Sequence, residues 1–311
     1  LIGMPPSPEE ARQVQLNDLV RFWKSPCSHF LRQRMGMDVW EQSDLLPERE
    51  MLEPDNKQRY QLRERLAELL QAQGEPGIQA MVGQARDTLR KEGQLPPDEL
   101  GEALFHEALL EAEDYLLSLG PYLSHQKLPP HGFREQINSF ELSGEIEPVH
   151  GRTLLTGRPS QTKIKDLMAG WIRHLAANAF GPLAGDTATV VAGTEKLFTF
   201  SPIGQVAAVD ALPPLLELYG EGLNRPLPFF PETSGKWLET EKANEERSEE
   251  NGKIKNPQDA ARAKWEGSEH AFGEGQSFAN RLCFPKDPID EPDFPKLAKE
   301  ILGALNAHLD S

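Results

Sequence analysis

The chain has 311 residues, with 33 Lys and Arg against 49 Asp and Glu, a formal net charge of −16. That length accommodates one large or two modest domains around a substantial core, and so acidic a surface repels phosphate backbones on average. Any contact with nucleic acid must therefore come from a local basic patch.

The first third reads as helices. Asn17 and Asp18 are placed to cap a helix through Leu19, Val20, Phe22 and Trp23, and Ser25-Pro26 opens a second that ends at Gly36. A polar stretch from Ser43 to Asn56 follows, interrupted by Pro47 and Pro54. Leu62, Leu66, Leu69 and Leu70 then mark an amphipathic helix, and a further helix from Ile78 to Arg90 stops at Gly93. Pro97-Asp98 opens a longer helix that the pattern ends before Gly120-Pro121.

After Pro129 the period changes. Phe140, Leu142, Gly144 and Ile146 alternate with Glu141, Ser143 and Glu145, which predicts a half-buried strand. His150-Gly151 reads as a turn into a second strand, Arg152 to Thr156, so the two strands are expected to pair as a hairpin. Thr162 is placed to cap a helix through Leu167, Trp171 and Leu175 that ends near Gly181. Strands follow at Thr187–Ala192 and Lys196–Phe200, then a helix from Leu215 to Gly220 and the proline-rich run Pro226–Pro231. Glu239 to Lys255 has almost no apolar residue and is expected to be a mobile loop, a frayed helix or a linker. Ala260–Trp265 and Phe294–Leu309 complete the helical pattern.

This order predicts an α/β (α+β) fold, a small mixed sheet surrounded by many helices. The expected organisation is a helical region over 1–128, an α/β core over 129–237, a charged linker or loop over 238–257 and a helical segment over 258–311 that completes the same domain. The start at Leu1, with the first Met at position 4, points to a piece of a longer protein. No apolar run reaches the ~18–20 residues of a membrane span, no signal-like stretch opens the chain, and mean hydropathy is −0.54. A cytoplasmic protein without membrane contact is expected.

The stretch with the most chemical content is Gly144-Glu145-Ile146-Glu147, then Leu154-Leu155-Thr156-Gly157-Arg158, then the helix with Leu167 and Trp171. In outline it resembles the core of the PD-(D/E)xK nucleases, above all the nuclease modules of the RecB and AddB families. Those modules read roughly Gly-x-Ile-Asp, Asp-x-Lys and Gln-x-x-x-Tyr, and their carboxylates hold hard divalent cations. Carried over position by position, the resemblance puts Glu147 at the first carboxylate, Thr156 at the second and Arg158 at the lysine. Leu167 and Trp171 replace the Gln and Tyr. Upstream, the family's helix offers a His shortly after a glycine; Phe105 stands at the matching offset from Gly101, and His106 falls one place late. The loss of one carboxylate and the permanent charge of arginine disfavour a metal site, and Glu147 and Arg158 are expected to pair with each other. An active nuclease drawing on Glu141, Glu145 or Glu147 is the competing reading, and a purely protein-binding helical domain is a third.

A nuclease-like scaffold without its catalytic residues is similar to the C-terminal domain of the RecC family. Leu16-Asn17-Asp18-Leu19-Val20-Arg21-Phe22-Trp23-Lys24-Ser25-Pro26, continuing through Phe30-Leu31 to Gly36, resembles that domain's opening helix pair. Gly157-Arg158-Pro159-Ser160, Gly220-Glu221-Gly222-Leu223 with Pro226–Phe230, and Trp265-Glu266-Gly267 resemble further elements in order. The resemblance implies a non-catalytic domain, without cofactor or metal, of a helicase–nuclease with RecB-like and RecD-like partners. It further implies a role in subunit assembly, DNA guidance and strand separation at double-strand ends. No P-loop motif is present.

Several groups remain for the structure to place. Arg152, Arg158, Lys163, Lys165 and Arg173 form the densest basic group and the candidate DNA-facing patch. Trp171, flanked by Leu167, Met168, Ile172 and Leu175, fits a core position better than a base-stacking platform. Pro228-Phe229-Phe230-Pro231 suits either an exposed docking element or a loop pinned to the core. The eight histidines show no HxxxH or HxH spacing. Cys27 and Cys283 cannot supply a four-cysteine cluster and read as plain thiols.

Overall fold

A computed structural model of the chain describes residues 12–37, 56–72, 78–96, 98–248, 254–268 and 271–310. The chain start and nearly all of the polar stretch at 43–56 lie outside these residues. The described N-terminal part is β1 (Gln13–Gln15), α1 (Leu16–Lys24), α2 (Pro26–Met35), α3 (Asn56–Ala72), α4 (Ile78–Lys91) and α5 (Asp98–Leu123). Pro26 at the first turn of α2 and Gly36 in the left-handed conformation at its end are the boundaries the sequence announces. α5 differs: it runs past Gly120-Pro121 to Leu123. The ladder resumes after the proline, with the Ser124 N–H donating to the Gly120 carbonyl at 3.1 Å, while Tyr122 and Leu123 pack on the α3–α5 core. That packing offsets the cost of the proline in the last turn.

Two sheets follow. β2 (His131–Ile137) and β3 (Phe140–Ile146) form an antiparallel hairpin, and β1 joins β3 in parallel, with Val14 opposite Leu142. The second sheet is built around β4 (Val149–His150), β5 (Thr153–Gly157), β6 (Ala188–Ala192) and β7 (Leu197–Phe200), and the short β10 (Leu309–Asp310) closes its far edge. β5 and β6 are parallel and are connected through α6 (Ile164–Phe180), the long crossover that parallel neighbours require.

The expected hairpin between 140–146 and 152–156 is therefore corrected. β3 pairs with β2, and β5 turns back only on Val149-His150, so the two segments belong to different sheets. The seven-residue ladder of β3 with His131–Ile137 is filled, and local alternation cannot show which segment fills it.

The second sheet is covered on both faces. Val190 and Ala192 join Leu155 against α3, α4 and α5, whereas Val191 and Phe200 face α6 and the larger core. The one-residue step from Val190 to Val191 is the strand period choosing opposite sides. α6 comes so close that a Cβ on Gly170 would lie 2.3 Å from Val191 Cγ2.

The rest of the chain is α7 (Gln205–Asp210), α8 (Leu212–Gly222), α9 (Pro231–Ser248), α10 (Pro257–Glu266), β8 (Gly267–Ser268), β9 (Ala271–Phe272), α11 (Phe278–Cys283), α12 (Asp293–Leu297) and α13 (Gly303–Ala307). α9 carries the charged segment as helix through Ser248, the helical one among the readings its composition allows. Trp237, Leu238 and Thr240 are buried on it, and the Asn244 side chain both donates to and accepts from the Lys255 backbone, at 2.6 and 3.0 Å. The last predicted helix ends early: helical turns run to Ala307, and Leu309 pairs with Phe200 as strand. Phe229 and Phe230 are fully buried, and the Phe230 ring centroid lies 4.4 Å from that of Trp265, so the proline-bounded run is pinned to the core.

Burial of α6 extends to polar groups. His174 Nδ1 lies 2.9 Å from Thr189 Oγ1, and the Asn178 amide donates to the Thr187 carbonyl at 2.8 Å, joining α6 to β6. Burial lowers the His174 pKa from 6.5 to about 4, with His308 adding to the effect, and burial lowers His29 likewise to about 4.

Two outcomes follow from this packing. Gly170→Ala lowers stability by about 1–3 kcal/mol in urea unfolding, because Val191 has to move. Both histidines fold neutral and take up protons on unfolding, so their contribution is complete above pH 6.5 and is lost as pH falls toward 4. Denaturant midpoints measured across that window fall, by on the order of 3 kcal/mol per histidine, and His174→Asn flattens the slope.

Candidate nucleic-acid interface at the strand end

β5 ends at Gly157, whose φ is +119° and whose missing Cβ would sit 2.1 Å from the Ala192 carbonyl oxygen. Only glycine makes this approach without strain. The chain then delivers Arg158 to the first turn of α6. Arg158 Nη2 donates to Asp166 Oδ2 at 3.0 Å, and Nη1 donates to the Tyr60 hydroxyl at 3.0 Å, with the guanidinium 5.2 Å from the centre of the Tyr60 ring. The Tyr60 hydroxyl in turn donates to Glu64 Oε1 at 2.9 Å.

Asp166 is the hub. It is buried, caps α6 by accepting from the Lys163 backbone N–H at 3.1 Å, and has Lys24 Nζ at 4.0 Å from its other oxygen. Lys24 in turn ends α1, where a cation suits the helix dipole. Arg173 donates to Asn17 Oδ1 at 3.2 Å, one helix over.

The electrostatics show how crowded this face is. Burial lowers the Lys24 pKa, Asp166 opposes that, and Lys165, Arg158 and Arg173 all push it down again. Burial also works against the Arg158 charge, but Tyr60 and Asp166 outweigh it and hold its pKa above the usual value. Arg173 is lowered by burial alone. Arg158 and Lys24 share the one buried carboxylate, and Lys165 and Arg173 lie near enough to Lys24 to add to the positive charge around it.

The sequence-derived residues are divided among different places. Glu147 is exposed beyond the end of β3 and does not pair with Arg158, whose partners are Asp166 and Tyr60. The Thr156 hydroxyl donates to the Val190 carbonyl at 3.4 Å. Leu167 and Trp171 are core residues, Trp171 lying against His174, Phe200 and His308. Arg158, Lys165 and Arg173 do come together. Arg152, by contrast, precedes β5 while Arg158 follows it, so the strand separates them by roughly 20 Å, and Arg152 pairs with Asp186. Lys163 lines a different groove, with Lys236, Lys264, Leu302 and Leu305.

Tyr60 and Asp166 are the members that sequence reading missed. Asp166 had a local signal, an acidic residue in the first turn of a helix, but nothing local connects positions 24, 60 and 158.

This donor set does not suit a divalent cation. The Asp166 carboxylate is already shared by Arg158 and Lys24, and Thr156 brings a neutral hydroxyl turned to the backbone. Among the described residues, no group of three or more His, Cys, Asp or Glu side chains is arranged to hold a metal ion.

The family model described as the RecC C-terminal domain matches residues 11–242, which span β1 to α9 and include every residue of this cluster. The chain belongs to the RecC C-terminal domain family. Curated relatives agree with that assignment. The RecBCD enzyme subunit RecC of Escherichia coli K12 is 25% identical over 229 residues, 73% of this chain and 19% of the relative. The protein of the same description from Mycolicibacterium smegmatis is 27% identical over 246 residues, 76% of this chain and 21% of the relative. The chain thus spans about one fifth of the length of the curated relatives it matches. No helix among the described residues is long and apolar enough to cross a membrane.

Within this RecC-type domain, Asp166→Asn leaves Arg158 and Lys24 without their shared counter-charge. Chemical denaturation is expected to show a loss of about 3 kcal/mol, the lower end of the range for breaking a buried pair because Arg158 retains some access to water.

Proposed function

We propose that this RecC-type domain is the non-catalytic C-terminal part of a larger RecC-like subunit. In that reading it serves assembly with RecB-like and RecD-like subunits of a cytoplasmic helicase–nuclease. It also guides DNA during strand separation in double-strand break repair. The observation that carries the reading is the Arg158–Asp166–Tyr60 cluster at the end of β5. Where the nuclease resemblance calls for a carboxylate pair and a lysine, the chain has built a cation-rich face anchored by one carboxylate.

Such a face holds phosphates rather than attacking them. Arg158 is fixed by two partners and sets the geometry, while Lys24 and Lys165 are the cations with flexible reach beside it. The acidic remainder of the surface keeps DNA off other faces, so the backbone is steered to this one. Arg152 and Lys163 lie apart from it and are, in this reading, secondary contacts at most.

Two measurements test the proposal. Linear duplex and single-stranded DNA incubated with the chain and Mg²⁺ or Mn²⁺ is expected to stay intact; cleavage that disappears on Glu147→Ala would establish an active nuclease instead. In the complex reconstituted with RecB-like and RecD-like partners, forked DNA is expected to crosslink to the Lys24–Lys165–Arg173 face. Lys24→Ala and Lys165→Ala are each expected to reduce the slope of log affinity against log salt by about 1, the signature of one lost phosphate contact. Unchanged slopes and no crosslink would leave a purely protein-binding domain.

A further inference from the structure

The structure joins two residues that the DNA-guidance reading does not use. Cys27 lies in the first turn of α2 and is fully buried, whereas Cys283 is the last residue of α11 and is partly open to solvent. α2 and α11 pack on each other, Cys283 packs against the core cluster that contains Cys27, and each thiol is the first influence on the ionisation of the other.

The surroundings hold both in place. Cys27 belongs to the main core with Cys283 against it, and the neighbouring Phe284 ring packs on Phe230 at 5.4 Å. α11 is itself tethered by the Asn280 amide, which donates to the Glu274 carbonyl at 2.8 Å. The Glu274 carboxylate in turn accepts from the Thr233 N–H of α9 at 2.7 Å.

The two sulfurs are unlike. The Cys283 thiol beside it, burial and the nearby Glu274 carboxylate keep Cys27 protonated, well above the usual thiol range. The Cys27 thiol draws Cys283 below that range, with desolvation opposing it in part. Cys283 therefore combines the accessible position with the greater thiolate character that exchange chemistry requires.

We propose that Cys27 and Cys283 form a redox-responsive pair that a low-molecular-weight disulfide converts into an intramolecular disulfide stapling α2 to α11. The Cys283 thiolate attacks one sulfur of the small disulfide, breaking its S–S bond and releasing one small thiol. The Cys27 sulfur then attacks Cys283 in the mixed disulfide, forming the protein S–S bond and releasing the second small thiol. The small disulfide gains two electrons, the cysteine pair loses two, and the two thiol protons leave with the released thiols. Cys283 lies beyond the matched family region, which ends at residue 242. The bond thus fixes the C-terminal segment to the opening helix pair of the domain.

The test equilibrates the folded full chain with oxidised and reduced glutathione. The expected result is a proteolytic peptide pair joined through Cys27 and Cys283, loss of two hydrogen masses from the intact chain, and an upward shift of the unfolding midpoint. All three are reversed by dithiothreitol. Cys27→Ser is expected to trap a stable glutathione adduct on Cys283, and Cys283→Ser to leave Cys27 unmodified. Cys27→Ala provides the same trap should a buried serine impair folding. A glutathione adduct that persists on Cys283 in the unsubstituted chain, a disulfide between two copies, or no reaction in excess oxidised glutathione would each overturn the proposal.

Discussion

Helix α6 is buried along almost its whole length, between the sheets on one side and α1, α7 and α9 on the others. Burial on that scale removes water from the polar groups on the inner face of the helix, so each must bring a partner of its own. His174 and Asn178 find theirs on and just before β6, and Asp166 finds Arg158, Lys24 and the helix's own first turn. The requirement also fixes the backbone, since only a glycine at position 170 lets the helix approach Val191 closely enough to close the core.

The candidate interface is a consequence of that constraint. A carboxylate buried at the start of α6 needs cationic partners, and Arg158 arrives from β5 only because Gly157 permits the turn. Lys24 comes from the end of α1, which packs along α6, while Lys165 and Arg173 are carried by α6 itself. The same packing that stabilises the fold thus concentrates positive charge on one face of a chain whose net charge is −16. Arg158 and Lys24, brought to the Asp166 carboxylate, occupy positions where a divalent cation would otherwise bind.

Much of the element order was legible in the residues. Pro26 and Gly36 bound α2, Gly93 follows α4, and the alternation of Phe140 to Ile146 marks a strand. The differences are mostly of one type, although α1 starts at Leu16 ahead of Asn17-Asp18 and α6 is capped at Lys163 and not Thr162. The partner of that strand, the passage of α5 through Pro121 and the pairing of Leu309 with Phe200 are settled by packing between segments distant in the chain. At the candidate site, three of the five basic residues singled out by composition stay together. Arg152 is separated by the length of β5, and Lys163 by the direction of the α6 start.

By itself the sequence determined the class of fold and the family to which the chain belongs, because turn chemistry, periodicity and residue type are local properties. Only the tertiary structure decided that Arg158 answers Asp166 and Tyr60 rather than Glu147, that Lys24 joins them, and that Cys27 meets Cys283. These contacts bridge up to most of the chain's length. They exist because hydrophobic burial brings α1, α3, α6 and α11 to fixed places, and charge and thiol chemistry then act on the neighbours that burial supplies.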